Sequence, residues 1–486
     1  MIVSCSNFGP IKNGSLDLSK NLIIICGANN SGKTYFSYLL YGLFRSKTYF
    51  EVAKNFIPIV ESSIRDHIEI KGSIEILINV DIVNLIRTQG SDILSSFSDY
   101  AKDCVLETFP AGSDLSESKF TFNKSFDTEF CKDLFRREFT DSELYKPSKD
   151  TNPDRKSFRL VKAPNSNHIL IIISSRKEER SSDKLTNLEL QILHHAVLKF
   201  ILKISLNLGS NQIVLFPAER IAIDVFSHDI SNARESISRE SQSASMKEYA
   251  SGDPMSQVFF SLLFEADSDN FYAAPIKDAI IQSMSSVMRS DKEGSLSRLG
   301  RLIETNILGG ELSFGKKEEN YQMKFQSFGG PAVKMQLASS MVKSLAPLVI
   351  YLKHQSRIRD IVILDEPEMC LHPSLQRKLA VILAQAVNGG IKVIVSTHSD
   401  FFLREFNNLI MINHDSPEGL HLRRKYLSIG YDSNASLKYR EVGANLFESN
   451  TIREVECSET GFSMPIIDDV IEAQNEASQD IYFSLF

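Results

Sequence analysis

Several features that assign a chain to a particular class are missing from this sequence. Its six cysteines lie far apart and form no C-x-x-C pair, which argues against a structural zinc site and for reduced thiols inside a cell. No run approaches the roughly 18 apolar residues of a membrane helix, and no basic and then apolar leader opens the chain. The sequence therefore predicts a soluble, cytoplasmic protein that has no membrane partner.

An excess of positive charge is also missing. With 54 Lys and Arg against 61 Asp and Glu, the net charge is −7, so no general basic field favours nucleic acid. The densest basic cluster is Arg423–Lys425, which is expected either to contact phosphates or, more commonly, to be a solvated strand edge. Nucleic acid is therefore a candidate partner only through a local patch.

No heptad pattern persists long enough for extended coiled-coil arms.

A glycine-containing run near the start of the chain carries the strongest functional signal. Residues Gly27–Thr34 fit G-x-x-x-x-G-K-[ST], the phosphate-binding loop of nucleoside triphosphatases. The run before it, 21–26, is typical of a buried strand, and the apolar spacing after it predicts a helix. Lys33 is expected to reach the β- and γ-phosphates, and the Thr34 hydroxyl to hold Mg²⁺. The expected nucleotide contacts are Gly27, Asn29, Asn30, Ser31, Gly32, Lys33 and Thr34.

Far downstream, a short apolar run ends in two carboxylates. Residues 361–364 are followed by Asp365 and Glu366, and a buried parallel strand delivers such groups to the sheet edge where open α/β folds bind ligands. Taken alone, the pair is equally consistent with a strand that ends in solvated acids. Together with the phosphate loop, it predicts that Asp365 holds Mg²⁺ and that Glu366 polarises the attacking water as a general base.

The next segment predicts a helix and a further parallel strand. The helix is expected over 374–386, and two glycines stop it. The strand over 391–395 ends in S-T-H-S, which places His398 at the same ligand edge. An isolated histidine in a loop usually has no such function. Its position one strand after Glu366 favours a contact with the γ-phosphate or the attacking water.

These motifs, in this order, resemble the ABC-type ATPase heads of the SMC, RecF and OLD-like group. More narrowly, they resemble the small bacterial ATPases of antiphage defence and abortive-infection systems. The resemblance covers residues 1–45, 212–220 and 330–415. It implies an α/β fold: a P-loop NTPase head of the ABC type, with a mixed sheet, an antiparallel lobe and a helical insertion.

The resemblance also implies a composite active site for ATP and Mg²⁺. Heads of this type hydrolyse ATP only when two of them face each other, so a homodimer or higher homo-oligomer is expected. The implied catalytic residues are Glu366, His398 as the switch histidine, and Lys33. Ser339 falls where the signature serine acts in trans on the partner's nucleotide, although Met341 stands where a glycine is common. The alternative is that Ser339 only caps its own helix.

Four segments are predicted along the chain. Residues 1–225 form the first part of the head with the antiparallel β-lobe, and 226–310 form a helical insertion for sensing or partner docking. Residues 311–415 complete the head, and 416–486 form C-terminal strands and a tail. Strands at 73–80, 119–123, 158–162 and 168–173 are predicted to form the antiparallel lobe, and two more at 311–314 and 321–326 are predicted to lead to the helix after Ser339. Helices of the insertion are predicted at 256–264, 275–288 and 295–306.

A further element of the same resemblance is P-A-E-R at 217–220, after a strand that begins at residue 212. Arg220 is expected either to reach a phosphate or a partner head, or to form a structural salt bridge.

The predicted function is an ATP hydrolase of a bacterial antiviral defence complex that senses infection and controls a separate effector, a nuclease or toxin. The segment after Asn413 is too short for the TOPRIM nuclease domain of OLD-type proteins, so no nuclease is expected in this chain. One alternative is a DNA-repair ATPase of the RecF or SMC kind that acts on DNA ends or gaps. The other is a scaffold that binds ATP without hydrolysis, which the complete set of motif residues disfavours.

Overall fold

The computed structural model describes residues 1–44, 68–71, 75–81, 115–123, 139–141, 156–175, 212–223, 273–279, 293–314, 323–427 and 434–485, together with isolated positions between these ranges. The chain forms two compact units. The first unit contains Met1–Ser4, Leu43–Cys104 and Lys119–Gly209, and the second contains Cys5–Gly42, Val105–Ser118 and Ser210–Phe486.

The strands fall into three sheets. In chain order they are β1 (Ile2–Phe8), β2 (Ile11–Asp17), β3 (Leu22–Gly27), β4 (Ile68–Lys71), β5 (Glu75–Asp81), β6 (Lys119–Asn123), β7 (Phe139–Asp141), β8 (Lys156–Lys162), β9 (His168–Ser175), β10 (Ile213–Phe216), β11 (Gly310–Phe314), β12 (Met323–Ser327), β13 (Ala332–Lys334), β14 (Ile361–Asp365), β15 (Lys392–Thr397), β16 (Val442–Glu448) and β17 (Thr451–Val455).

Helices follow or precede most of the parallel strands. They are α1 (Lys33–Phe44), α2 (Ser297–Ile303), α3 (Ser340–Ile350), α4 (Pro373–Asn388), α5 (Asp400–Met411), α6 (Pro417–Lys425) and α7 (Pro465–Leu485). One π-helical turn, Glu304–Leu308, continues α2, and another, Tyr351–Gln355, continues α3. No helix within the described ranges is both long enough and apolar enough to cross a bilayer.

The large sheet has nine strands in the order β10-β14-β15-β3-β16-β17-β2-β1-β6. Its first five strands run parallel to one another, whereas β16 and β17 are antiparallel. Every residue of β3, β14 and β15 is buried, as expected for parallel strands that are covered on both faces. The predicted α/β fold with a mixed sheet is confirmed, and the carboxyl ends of the five parallel strands meet at one edge.

Helices α3, α4 and α5 contribute to the core of the second unit. The second half of helix α4 is buried on all sides, from Leu379 to Ala384 without interruption, and both glycines predicted to stop the helix follow its last residue. On α5, the rings of Phe402 and Phe406 pack edge to face with centroids 5.2 Å apart. Because these side chains are fully buried, the helices hold the loops at the sheet edge against a close-packed layer.

The antiparallel sheet of the first unit has the order β4-β5-β9-β8-β7. Three of the predicted strands belong to it, as β5, β8 and β9, with ends that differ by a few residues. The strand predicted at 119–123 exists as β6, but its assignment to this antiparallel lobe is wrong, because it lies at the edge of the nine-stranded sheet.

A smaller antiparallel sheet, β11-β12-β13, precedes α3. It confirms the two strands predicted at 311–314 and 321–326, the second from Met323 onwards. In the predicted insertion, α2 and its π-helical turn confirm the helix expected at 295–306, although the turn ends two residues later, at Leu308. The helix expected at 256–264 and most of that at 275–288 lie outside the described residues.

The basic cluster Arg423–Lys425 forms the last turn of α6, so the prediction of a solvated strand edge is wrong. Basic side chains are favourable at the carboxyl end of a helix. The Arg423 guanidinium donates from Nη1 to the Ile412 carbonyl at 2.6 Å, and the Lys425 ammonium lies 5.1 Å from the centre of the Tyr426 ring. The cluster therefore has local intramolecular contacts that account for its position.

Candidate functional site at the carboxyl edge of the parallel sheet

The glycine-containing run forms a tight loop between β3 and α1. Gly32 has φ +99°, and a Cβ there would come within 2.8 Å of Cγ1 of Ile11. Asn30 also has a positive φ, of 62°, a conformation that asparagine tolerates better than most residues. A Cβ at Gly27 would come within 2.3 Å of the Phe447 carbonyl oxygen on β16. Both glycines are therefore required by the backbone, which turns sharply against neighbouring strands before α1 begins.

Two polar groups of this loop fit a phosphate ligand. The Lys33 ammonium is buried and donates to the carbonyls of Gly27 at 2.9 Å and Ala28 at 2.8 Å. Burial lowers the pKa of Lys33, and the carboxylate of Glu366 opposes that shift. The Ser31 hydroxyl is buried and has no hydrogen-bond partner among the described residues. An anion in the loop would satisfy both groups, together with the backbone N–H groups at the start of α1.

Asp365 lies beside this loop at the end of β14. Its carboxylate is fully buried, and its Oδ2 accepts a hydrogen bond from the Thr34 hydroxyl at 2.8 Å. The Ser396 hydroxyl at the end of β15 donates to its Oδ1. Burial raises the pKa of Asp365, while the hydrogen bonds from Ser396 and Thr34 oppose the shift.

This pair of oxygen ligands fits a magnesium ion bound to a nucleotide. Mg²⁺ is usually held by one or two carboxylates together with phosphates and waters, and the Thr34 hydroxyl and the Asp365 carboxylate lie side by side. No group of three or more His, Cys, Asp or Glu side chains in the described part of the chain is arranged to hold a metal ion alone. A magnesium ion bound at Thr34 and Asp365 would take its other ligands from phosphate oxygens and water.

Glu366 and His398 face each other next to Asp365. Glu366 has φ +46°, in the left-handed region, which costs about 1–2 kcal/mol for a residue with a side chain. Its N–H donates to the Ser396 carbonyl at 3.1 Å. The Nδ1 atom of His398 lies 3.5 Å from Oε1 of Glu366, and both side chains are partly exposed. Glu366 thus combines a strained backbone with a partly exposed carboxylate beside the His398 imidazole. At the edge of the sheet, this carboxylate is within reach of a reactant.

The carboxyl group of Glu368, two residues after Glu366, binds the backbone of His398. Its Oε1 accepts from the Thr397 hydroxyl at 2.5 Å and from the His398 N–H at 3.1 Å. Its Oε2 is buried without a hydrogen-bond partner among the described residues. Burial raises the pKa of Glu368, against the hydrogen bonds from Thr397 and His398. The carboxyl group therefore fixes the start of the loop that carries His398.

Ser339 lies at the N-cap of α3, where its hydroxyl accepts from the Val342 N–H at 3.4 Å. The side chain is exposed, and Met341 is half-buried in the first turn of the helix. The structure thus shows the capping contact and leaves the serine open to a ligand from outside.

Arg220 differs from both sequence expectations. Its guanidinium is buried, 4% exposed, so it does not project towards a partner head. Four of its five hydrogen bonds go to backbone carbonyls and the fifth goes to the Ser344 hydroxyl, so the expected salt bridge is absent from these contacts. The expectation of a phosphate contact is also wrong for this arrangement, because all five N–H donors are already used.

The sequence reasoning missed three polar side chains that position the site. Ser396 holds Asp365, Thr397 binds Glu368, and Gln376 on α4 accepts from the Ser399 hydroxyl at 2.5 Å. A signal for two of them was present, because Ser396 and Thr397 directly precede His398 in S-T-H-S. Their partners are not visible in the sequence, since Asp365 lies at the end of β14 and Glu368 in the turn after it.

With the site assembled, the family follows from a match to residues 1–403 that is described as an AAA ATPase domain. The chain belongs to this family. The match extends from the phosphate loop through Asp365 and His398, so the family assignment includes both parts of the site. This AAA ATPase is therefore a nucleotide-binding protein of the ATPase class.

Two solved structures are similar to this AAA ATPase at low identity. One is the Smc head domain with an extended coiled coil bound to the C-terminal domain of ScpA from Pyrococcus furiosus, at 12% identity over 98% of each chain and a TM-score of 0.30. The other is an SmcHead bound to the C-winged helix domain of ScpA, at 12% identity over 93% of this chain and 96% of that one, with a TM-score of 0.32. Comparison with curated proteins gives no match.

The buried carboxyl group of Glu368 predicts a pH-dependent stability of the AAA ATPase. In the folded chain the pKa of Glu368 is raised above its ordinary value of 4.5. The contribution of this carboxyl group to the free energy of unfolding is therefore complete below about pH 4.5, and it is lost as the pH rises through the folded pKa. Gln at this position keeps an oxygen for Thr397 and cannot ionise. We expect the free energy of unfolding of Glu368→Gln, relative to wild type, to increase as the pH is raised above about 4.5.

Urea unfolding measured at several pH values checks this expectation. The matched control is Glu459→Gln, because Glu459 is exposed. A difference between Glu368→Gln and wild type that stays constant or falls with rising pH would contradict the assignment of a raised pKa.

Proposed function

We propose that this AAA ATPase is a Mg²⁺-dependent ATP hydrolase of the ABC type, in which two chains together complete each active site. The observation that carries the proposal is the hydrogen bond between the Thr34 hydroxyl and the Asp365 carboxylate, because it joins the phosphate loop to the strand that the candidate general base directly follows. Glu366 and His398 lie at the same sheet edge, 3.5 Å apart. Phosphate-binding, metal-binding and proton-accepting groups are thus available at one place.

Each residue has a role that its chemistry supports. Lys33 and the loop N–H groups bind the β- and γ-phosphates, and Thr34 with Asp365 holds Mg²⁺, which neutralises phosphate charge when bound. Glu366 orients the attacking water and accepts its proton, and His398 contacts the γ-phosphate or that water. Burial keeps the polar groups around Asp365 in fixed positions, which reduces the reorganisation that catalysis requires.

The exposed start of α3 supports a second chain in the active site. Ser339 and the first N–H groups of α3 form the type of helix end that binds phosphate oxygens. Leu337, two residues earlier, is 79% exposed. A facing head would cover this apolar side chain and place the serine on the nucleotide of its partner. ATP binding would then join the heads, and hydrolysis would release them.

The replacement Glu366→Gln tests the catalytic assignment. Gln occupies the same space and does not accept a proton, so steady-state ATP turnover should fall at least about 100-fold. ATP-dependent association of the chains, followed by light scattering, should persist because the nucleotide contacts are unchanged. Glu459→Gln, on an exposed loop, should keep wild-type turnover. Wild-type turnover in Glu366→Gln would exclude this residue as the general base.

Mixing two inactive variants tests the composite site. In a mixed pair of Glu366→Gln and Ser339→Ala chains, one of the two sites has both Glu366 and the Ser339 that faces it. After subunit exchange without nucleotide, an equal mixture of dimers should recover roughly a quarter of wild-type turnover, since about half of the pairs are mixed and each has one intact site. If Ser339 only caps its own helix, the mixture will be no more active than the two variants measured separately.

For the cellular role, we propose that the ATPase belongs to a bacterial antiphage defence complex, in which it senses infection and controls a separate effector, a nuclease or toxin. The support is the resemblance of the phosphate loop, the I-L-D-E-P-E strand and the S-T-H-S segment to ATPases of such systems. Sensing and release by such a complex require an ATP-dependent change of state, which two joined heads supply.

Phage infection of cells that express this gene with its genomic neighbours tests the proposed role. We expect fewer plaques than on cells that lack these genes, and we expect Glu366→Gln to abolish the protection at equal protein level, with Glu459→Gln as the control. Protection that is identical in the wild type and in Glu366→Gln would contradict a role for ATP turnover in defence. ATPase activity stimulated by DNA in a salt-sensitive manner would instead indicate a repair ATPase.

A further inference from the structure

Arg220 forms contacts that the proposed ATPase mechanism has not used. The side chain follows β10 and is buried between that strand, α3 and the end of β14. Its Nε donates to the Ser344 carbonyl at 2.9 Å, and its Nη2 donates to the Ser344 hydroxyl, also at 2.9 Å. Arg220 therefore binds both the backbone and the side chain of one residue on α3, the helix that Ser339 caps.

The remaining donors of the same guanidinium bind the catalytic strand. Nη1 donates to the Asp365 carbonyl at 2.7 Å, and Nη2 donates to the Glu366 carbonyl at 2.8 Å. The last bond goes to the Pro217 carbonyl at 3.0 Å, which holds the arginine to its own turn. The planar guanidinium of Arg220 thus binds the backbone carbonyls of Asp365 and Glu366 and, at the same time, Ser344 on α3.

The geometry of this network couples its two ends. Arginine has five N–H donors in a rigid plane, and every one is used here, four of them in buried hydrogen bonds and the one to the Glu366 carbonyl in a part-buried hydrogen bond. If α3 moved without Glu366, buried donors or carbonyls would lose their partners, which is strongly unfavourable. The backbone at Glu366 is also strained, with φ +46°, so it depends on its neighbours to stay in that conformation.

We infer that Arg220 is a positioning residue that transmits the position of the α3 helix to Glu366. Contact of Ser339 with a nucleotide on a facing head sets the position of α3, Ser344 moves with the helix, and Arg220 sets the backbone that carries the general base. Hydrolysis is thereby tied to the assembled state of the two heads. The inference rests on the proposed function, since it takes the start of α3 as the surface that meets the partner's nucleotide.

The replacement Arg220→Lys tests the link while keeping the positive charge. Lysine has three donors on one nitrogen and does not bridge Ser344 to both carbonyls. At protein concentrations where ATP fully assembles the wild type, we expect kcat to fall about tenfold. ATP affinity and ATP-dependent association should change by less than about threefold, because none of the five hydrogen bonds described for Arg220 goes to the loop at residues 27–34. Ser344→Ala removes one acceptor and should lower kcat to a smaller extent, about threefold.

Arg377→Lys provides a matched control in the same unit. Arg377 on α4 is about half exposed and donates from Nε to the buried Glu405 on α5 at 2.8 Å, so it joins two helices by an ion pair. Its hydrogen bonds, to Glu405 and to the Tyr431 hydroxyl, do not involve α3, Asp365 or Glu366. This variant should lose thermal stability and keep kcat within about twofold of wild type.

The double variant Arg220→Lys with Ser344→Ala separates coupling from general damage. If both changes break one link, kcat of the double variant should equal that of Arg220→Lys within about twofold. Multiplicative losses would overturn the inference. So would a loss of ATP binding or association in parallel with kcat, or wild-type kcat in folded Arg220→Lys. A wild type that neither associates nor hydrolyses ATP would instead overturn the proposed function, and the inference with it.

Discussion

The hydrogen bond between the half-buried Thr34 and the buried Asp365 is the constraint on which the rest of the site depends. It joins residues that are 331 positions apart in the chain. The bond forms because β3 and β14 lie on either side of β15, all three strands are parallel, and their carboxyl ends coincide. A shift of one residue in either register would turn the polar ends of the strands to the opposite face and separate the phosphate loop from the carboxylates.

Burial of charge gives this site its rigidity. Four ionisable side chains of the site are nearly inaccessible to solvent: Lys33, Arg220, Asp365 and Glu368. Burial shifts the pKa of each in the direction that favours its neutral form. Their hydrogen-bond partners are backbone carbonyls, hydroxyls and one backbone N–H. If one of these groups moved, a buried partner would lose its hydrogen bond, which is costly in a low-dielectric interior. A network of this kind favours a small number of discrete arrangements, which is the property that an ATP-dependent switch requires.

Local pattern predicted much of the parallel sheet and the order of the motifs. The apolar runs before Gly27, Asp365 and Ser396 are buried strands, as expected, since strands covered on both faces need apolar residues at successive positions. The partner of β6 was not predictable in this way, because an alternating edge strand such as K-F-T-F-N is compatible with either sheet. The helical conformation of the basic cluster at the end of α6 was also not predicted. The serine cap and the proline at the start of this helix are weak signals beside a cluster of charges.

The sequence by itself determined the chemical groups and the strand ends at which they lie, because a phosphate loop and an acidic strand end are written in consecutive residues. It also determined the buried strands that bring those ends to one edge. Only the tertiary structure decided what Arg220, Glu368 and Ser396 do. Each of them acts through hydrogen bonds to residues on other elements, and the geometry of those bonds depends on how β10, β14, β15 and α3 pack together. The same arginine would read as a salt bridge or a phosphate ligand in isolation, and packing makes it a bridge between a helix and a strand.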